Sequence, residues 1–248
     1  MHGEVLVAVV VLGVGWVTAW RVRRERAPGA RALAFFAGLA VFVAATNGPL
    51  HDAAERSLFS AHMLQHLLLT LVAPPLVLAG MPAWMGDALL GRGRRALAAR
   101  ALTRPVPALA LYSIALAGWH FPGPYDAALT TQGWHALQHA TFVATAVLAW
   151  WPVLGPSTVA PPVHYAAQIL YLFALGMPMT VVAALITGAD GLLYTFYADA
   201  PRTLPLDALA DQRLGGVIMW VPAGVIPLVA FTAVYFRWAA AERDDAFD

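Results

Sequence analysis

Long apolar runs recur along the chain, and short polar or Pro- and Gly-containing segments separate them. A helix needs about 20 apolar residues to cross about 30 Å of hydrocarbon at about 1.5 Å per residue. Lipid offers no hydrogen-bond partners, so every backbone polar group in the membrane must be paired within the protein. The apolar runs therefore favour helices. We predict an all-α polytopic membrane bundle of about seven transmembrane helices, with residues 1–248 forming a single integral membrane domain. The predicted spans lie near residues 4–20, 32–47, 58–80, 105–121, 134–154, 163–187 and 212–236.

The arginines are distributed unequally among the connections. Of the 15 basic residues, all Arg, five follow the first span, five follow the third and two lie in the C-terminal tail. Basic residues accumulate in cytoplasmic loops. We therefore expect the N-terminus outside and the C-terminus in the cytoplasm. The longest outer connection, 188–211, carries Tyr194, Phe196 and Tyr197, which predicts a segment lying in the membrane interface.

Prolines within the predicted spans indicate bent helices. They are Pro74, Pro75, Pro178, Pro222 and Pro227. Each proline removes one helical N–H, so neighbouring helices must satisfy the carbonyl that it frees.

The composition narrows the chemistry that the bundle can carry. The chain is 60% hydrophobic and 12% charged, which is too little polar surface for a water-soluble globule. Because there is no Cys, disulfides, thiolate metal sites and iron–sulfur clusters are excluded, and any metal must be held by His, Met or carboxylate. The net charge of +1 and the placement of Arg at helix ends argue against a nucleic-acid partner.

Two His-x-Leu-Gln-His motifs are the strongest chemical signal. His62 and His66 lie one turn apart at the outer end of the third span, and His135 and His139 repeat this spacing on the fifth. Residues four apart share one helix face, so each pair presents two imidazoles to one ion. Both motifs precede an apolar run and a Gly- and Pro-containing exit. We predict that these four histidines form a metal site at one membrane depth.

Other polar residues are expected at the same level. Further ligand candidates are Met63, His120, His51 and Asp211. Gln65 and Gln138 are expected to orient the imidazoles through hydrogen bonds. Deeper methionines, Met179 among them, offer soft thioethers to Cu(I). The alternatives are that these histidines are interfacial hydrogen-bonding groups, that the methionines are packing residues, and that Asp211 caps the last span.

The motifs together resemble a known family. HMLQH with the following APP and GMP, HALQH, and DQRLGGVIMW at 211–220 are similar to the CtaG family of cytochrome c oxidase assembly factors that is linked to caa-type oxidases. The resemblance implies a seven-helix domain in the bacterial cell (plasma) membrane that helps to form active haem-copper oxidase. Its implied partners are the oxidase catalytic subunit and a periplasmic copper chaperone. Its His motifs fall on the two pairs above, and its acidic motif falls on Asp211 and Gln212.

We therefore expect an assembly factor, not an enzyme, that binds Cu(I) at a periplasmic-face His cluster and passes it to the catalytic subunit or stabilises that subunit. One alternative is a b-type haem-binding membrane redox protein, since bis-His ligation also uses His from two spans. Another alternative is a copper transporter with Pro-broken helices along its path. A zinc hydrolase is disfavoured because the chain has no His-Glu-x-x-His helix, and we expect no carboxylate beside either His pair.

Overall fold

The computed structural model describes residues 3–245, and the chain is 81% helix with no strand in that range. Residues 1, 2 and 246–248 of the predicted domain lie outside the described residues. Two short segments of other helical types are present in the described range, a π-helical turn at Leu68–Val72 and a 3-10 turn at Thr195–Tyr197. The helices are α1 (Gly3–Val22), α2 (Gly29–Thr46), α3 (Pro49–Arg56), α4 (Phe59–Leu67), α5 (Ala73–Gly80), α6 (Ala83–Leu90), α7 (Arg94–Leu102), α8 (Pro105–His120), α9 (Pro122–Thr130), α10 (Gln132–Leu154), α11 (Tyr165–Thr187) and α12 (Ala208–Asp245).

Within residues 3–245, six helical segments are long and apolar enough to cross a membrane. They are Val5–Val22, Gly29–Thr46, Phe59–Gly80, Gln132–Leu154, Tyr165–Thr187 and Ala208–Arg243. The fourth predicted span corresponds to α8, whose 16 residues bend by 70° from α7 at a short break. The bent pair brings the number of spans to seven if it counts as one. The prediction of a helical, multi-pass membrane bundle is confirmed, whereas the orientation of the termini stays a prediction.

The outer surface of the bundle is apolar where lipid would contact it. On α11, Leu170, Phe173, Met177, Val181 and Leu185 recur at helical spacing, and each exposes more than half of its surface. Soluble monomers rarely expose contiguous apolar patches of this kind. The same helix turns Leu172, Leu175 and Met179 into the core. The two faces of α11 therefore fit a lipid-facing side and a protein-facing side.

The span that carries the first His motif lies at the centre of the bundle. In Phe59–Gly80, 61% of the most apolar window is buried, against 17% for the first span. The α4 part of this span packs closely on α12 at Gly215. A Cβ added at Gly215 would collide with the Phe59 ring and approach Met63 Cγ to 3.2 Å. A glycine is required at this crossing, and α4 is consequently held against α12.

The π-helical turn begins two residues after His66 and has an identifiable cause. Pro74 lacks the N–H that would bond to the carbonyl of Thr70 in a continuous α-helix. The indole Nε1 of Trp150 on α10 donates to that carbonyl instead, at 3.1 Å. The Thr70 hydroxyl donates to the carbonyl of His66 at 2.7 Å. For Pro74, the expectation that a neighbouring helix satisfies the freed carbonyl is confirmed, and the contact ties α10 to the span below the His motif.

Candidate metal centre

Three histidines from the two motifs converge inside the bundle. His62 and His66 lie on α4, and His139 lies on the neighbouring α10. One ring nitrogen from each of the three lies within 4.8 Å of the other two. His62 and His66 are buried and His139 is half-buried. We call these three residues the His cluster.

The spacing of the nitrogens suits a shared ion. His62 Nε2 and His66 Nε2 are 2.8 Å apart, so in the metal-free protein one donates a hydrogen bond to the other. Imidazole nitrogens that bind one ion at about 2.0–2.1 Å, the distance for zinc, lie at most about 4 Å apart. The cluster therefore reaches a ligating geometry through shifts of about 1 Å or less, with the loss of one hydrogen bond.

His135, the fourth predicted ligand, lies beside the cluster and not within it. Its ring centroid is 4.2 Å from that of His139 and 6.2 Å from that of His62. Its Nδ1 lies 3.2 Å from the Glu55 carboxylate, to which it donates when the proton is on Nδ1. In that tautomer, Nε2 carries the lone pair that a metal needs.

Glu55 is a residue that the sequence analysis missed. The expectation that no carboxylate lies beside either His pair is wrong, because α3 places Glu55 against His135. A local signal was present: His51 and Glu55 are four residues apart on one helix face, and their side chains meet at 3.0 Å. The distance in sequence between Glu55 and His135 concealed the contact.

His51 connects this carboxylate to the span that carries the first motif. The Gln65 amide donates to the Ala45 carbonyl at 2.8 Å and lies 3.1 Å from His51 Nδ1. With Nδ1 as acceptor, His51 Nε2–H donates to Glu55. His51 Nε2 thus contacts Glu55 and its Nδ1 contacts Gln65, so Gln65 orients His51 directly instead of either ring of the first pair.

A buried tyrosine determines which His62 nitrogen can bind a metal. The Tyr197 hydroxyl donates to the Ala54 carbonyl at 3.2 Å and lies 3.3 Å from His62 Nδ1. Burial raises the pKa of Tyr197 above its ordinary value, so the phenol stays protonated. With its hydrogen on Ala54, the phenol oxygen accepts the Nδ1–H of His62. His62 Nε2 then carries the lone pair and faces His66.

The segment 188–211 folds over this end of the bundle. The Tyr194 and Tyr197 side chains, predicted to lie in the membrane interface, are 0% and 1% exposed. Both side chains pack into the protein core instead of facing lipid, and the depth of the segment in the membrane stays a prediction. The Thr195 hydroxyl donates to the Asp126 carboxylate at 2.6 Å and ties the segment to α9. The segment therefore covers the His cluster.

His120 and Met63 lie on the inner side of the cluster. His120 Nδ1 donates to the Leu116 carbonyl at 2.7 Å, which leaves the lone pair on Nε2. Its ring centroid is 6.2 Å from that of His66. His120, His66 and the fully buried Met63 line one small cavity.

The acidic motif does not contribute to the cluster. Asp211 Oδ2 accepts the Phe59 N–H at 2.7 Å, and Oδ1 accepts the Ser60 hydroxyl at 2.5 Å. Asp211 therefore caps the N-terminus of α4, three residues before His62, and not the last span. Gln212 Oε1 accepts the Leu193 N–H at 2.7 Å, so Gln212 holds the covering segment.

Gln138 differs from its counterpart Gln65. It is fully buried, and neither side-chain polar atom has a hydrogen-bond partner among the residues that the structure describes. A buried amide of this kind is costly unless a ligand or water completes it. Its predicted role in orienting the imidazoles stays a prediction.

A polar groove leads from the surface toward His135. Its volume is about 380 Å³, and it is more open than the cavity behind the cluster. Its walls place the Glu55 carboxylate next to His135. The residues that line it are Glu55, Arg56, Ala128, Leu129, Thr130, Gln132 and His135.

The sequence is similar to those of several mycobacterial proteins. The chain is 27% identical to uncharacterized protein Mb0105 of Mycobacterium bovis and to uncharacterized protein MT0111 of Mycobacterium tuberculosis, each over 95% of this chain and 38% of the relative. It is 25% identical to uncharacterized protein ML1998 of Mycobacterium leprae, over 93% of this chain and 38% of the relative. The chain thus spans about two fifths of the length of these curated relatives. No solved structure matches it significantly.

One family model covers nearly the whole chain. The model is described as cytochrome c oxidase caa3 assembly factor (Caa3_CtaG), and it matches residues 13–241. The match includes both His motifs, the covering segment and the Asp211-Gln212 pair. The chain therefore belongs to the cytochrome c oxidase caa3 assembly factor family, as the resemblance of its motifs predicted.

Proposed function

We propose that this chain assists the assembly of haem-copper cytochrome c oxidase by binding Cu(I) as cargo at the His cluster. From there the ion passes to the oxidase catalytic subunit, or the chain stabilises that subunit while copper arrives. The observation that carries the proposal is the approach of ligating nitrogens from His62, His66 and His139 to within 4.8 Å of one another. A role in assembly follows from the family to which the chain belongs.

The chemistry of the cluster favours a monovalent soft ion. Its three donors are imidazoles, and two of them are buried. A divalent ion in so apolar a place would need charge-compensating carboxylates, and the carboxylate beside the site, Glu55, contacts His135 at the edge of the cluster. Cu(I) accepts two or three neutral ligands, so an incomplete set of imidazoles both holds it and releases it by ligand exchange.

The surroundings of the cluster suit transfer at a membrane surface. The groove beside Glu55 gives a periplasmic copper chaperone access to His135 if the predicted orientation holds. The apolar outer faces of the helices let the chain meet a membrane-embedded oxidase subunit within the bilayer. We place the protein in the bacterial plasma membrane, with the lipid bilayer as its solvent.

The geometry fits an ion better than a haem. The ring centroids within the cluster are 4.2–6.5 Å apart, and the buried cavity beside them holds only about 10 Å³. Ligand pockets for larger groups usually measure about 300–1,000 Å³. A copper transporter would share the ligands, so copper uptake into proteoliposomes separates that function, and we expect none.

The test is a double substitution in the first motif. We expect His62→Ala with His66→Ala to lower the affinity of the His cluster for Cu(I) at least about tenfold, because two of its three ligands are lost. Oxidase activity should fall in a strain that depends on this chain, while membrane insertion is retained. The control is His164→Ala, an exposed histidine whose Nδ1 accepts a capping hydrogen bond from the Ala167 N–H. An unchanged affinity for Cu(I) in the double variant would exclude direct binding by the cluster.

A further inference from the structure

A small cavity behind the His cluster is lined by an unusual concentration of sulfur. Its volume is about 10 Å³, the size of about one water molecule. Three of the seven methionines of the chain line it together with two histidines. The full lining is Met63, His66, Leu67, Thr70, Leu116, His120, Phe142, Met179 and Met219.

Two ring nitrogens on this lining lack the hydrogen bonds that burial normally demands. His120 Nε2 and His66 Nδ1 are buried, and neither has a hydrogen-bond partner within residues 3–245. The bond from His120 Nδ1 to Leu116 makes His120 Nε2 a lone-pair donor. An unpaired polar atom in an apolar cavity costs free energy, and a bound cation would remove that cost.

The sulfur atoms define which cation fits. Met63, Met179 and Met219 are each at most 3% exposed and come from α4, α11 and α12. Ordinary packing can use leucine at such positions, but three methionines and two histidines on one cavity form a soft, uncharged donor set. Thioethers select Cu(I) over harder divalent ions.

We propose that this cavity is a second binding site for Cu(I), with the thioethers of Met63, Met179 and Met219 and His120 Nε2 as its donors. His66 lies on both sites, since it belongs to the His cluster and also lines the cavity. The inference rests on the proposed function in that the ion arrives from the His cluster. Rotation of the His66 ring then exchanges ligands between the two sites without any change in the oxidation state of copper.

The donor atoms change in type from the surface groove through the His cluster to the inner cavity, and this change gives copper movement a direction. The surface groove carries the Glu55 carboxylate, the next position carries three imidazoles, and the innermost carries thioethers with an imidazole. Donors therefore become softer with depth, and Cu(I) binds more firmly at each step. The inner site retains copper inside the membrane bundle, away from water.

The test compares two buried methionines of the cavity, Met179 on α11 and Met219 on α12, with an exposed methionine on α11. The full chain, purified in detergent, is loaded anaerobically with Cu(I) and examined by metal analysis and X-ray absorption. We expect about two ions per chain and copper–sulfur scattering in the wild type, as one ion occupies each site. Met179→Leu with Met219→Leu should remove one ion and most of the sulfur signal. The control, Met177→Leu, changes a methionine that is 54% exposed and should change neither.

The outcomes separate this inference from the proposed function. Nitrogen scattering without sulfur in the wild type overturns the inner site and leaves the His cluster intact. Retention of both ions and of the sulfur signal in the Met179→Leu, Met219→Leu variant also overturns it. Loss of nitrogen-bound copper alone in His62→Ala, His139→Ala, with sulfur-bound copper retained, supports two sites. Failure of the wild type to bind copper at all overturns both proposals.

Discussion

The two His-x-Leu-Gln-His motifs have the same spacing but different surroundings. In the first, both histidines are buried and their Nε2 atoms are 2.8 Å apart. In the second, His139 joins the cluster while His135 contacts Glu55 beside the surface groove. The helix environments explain this difference, since 61% of the most apolar window of the third span is buried, against 44% on α10.

The glutamines of the two motifs differ in the same way. Gln65 bonds to α2 and approaches His51, so it fixes the first motif within the bundle. Gln138 is buried with no hydrogen-bond partner among the described residues. A repeated motif therefore does not have repeated surroundings: the first contributes two buried histidines to the cluster, and the second contributes His139 to the cluster and His135 to the groove.

The largest expected effect is a difference in Cu(I) affinity between variants of His66 and of His135. We expect His66→Ala to weaken Cu(I) binding about 100-fold, because it removes a buried central ligand, and His135→Ala to weaken it about tenfold or less. Competition with a calibrated Cu(I) chelator measures both affinities. Equal losses in the two variants would show that the motifs are equivalent after all.

The second largest effect concerns Asp211, whose carboxylate caps α4 and so positions the first motif but not the second. Asp211→Asn weakens the charged cap on α4 and should lower the free energy of unfolding by about 1.5–3 kcal/mol. Asp207, whose carboxylate accepts the Ala210 N–H on the exposed start of α12, is the matched control. Asp207→Asn should cost about 0.5 kcal/mol or less. Thermal unfolding in detergent compares the two, and equal stability would contradict the assigned role of Asp211.

A smaller effect concerns entry past the second motif. Glu55→Gln removes the negative charge beside His135, and we expect copper loading to slow about tenfold while the final copper content is unchanged. The control is Asp52→Asn, an exposed carboxylate on the same helix. Stopped-flow transfer from a Cu(I) donor complex measures the rate. An unchanged rate in Glu55→Gln would remove the carboxylate from the entry path.

The smallest effect compares the two glutamines in the copper-free protein. Gln65→Leu loses the bond to the Ala45 carbonyl and should cost about 1 kcal/mol. Gln138→Leu removes an unpaired buried amide and should be neutral or slightly stabilising. The midpoint of thermal unfolding reports both changes. A larger loss in the Gln138 variant would mean that this amide is satisfied in the folded protein.

Membrane depth was readable from the sequence, but side-chain direction was not. The apolar runs and the i,i+4 spacing predicted His62, His66 and His139 at one level, and the three side chains converge in the structure. The predicted membrane depth also made Asp211 a ligand candidate, although its carboxylate caps α4. Which residues meet depends on how each helix is rotated about its axis, and the hydrophobic pattern leaves that rotation undetermined in a bundle that is apolar on nearly all sides.

The contacts that the sequence analysis missed join residues far apart in the chain. Glu55 on α3 reaches His135 on α10 through its side chain. Tyr197 reaches His62 because the segment after α11 folds back over the bundle. Neither contact has a local sequence signature. The His51 and Glu55 pair on α3 was the one local signal, and it would have predicted a carboxylate near the site.

The most direct test of the central claim is metal analysis of the purified wild-type chain together with its absorption spectrum. The account predicts copper bound in at least about one equivalent per chain, with no Soret band, because imidazoles in this cluster suit Cu(I) and leave no room for a macrocycle. An intense Soret band, or a protein that binds no copper after anaerobic loading, would contradict it.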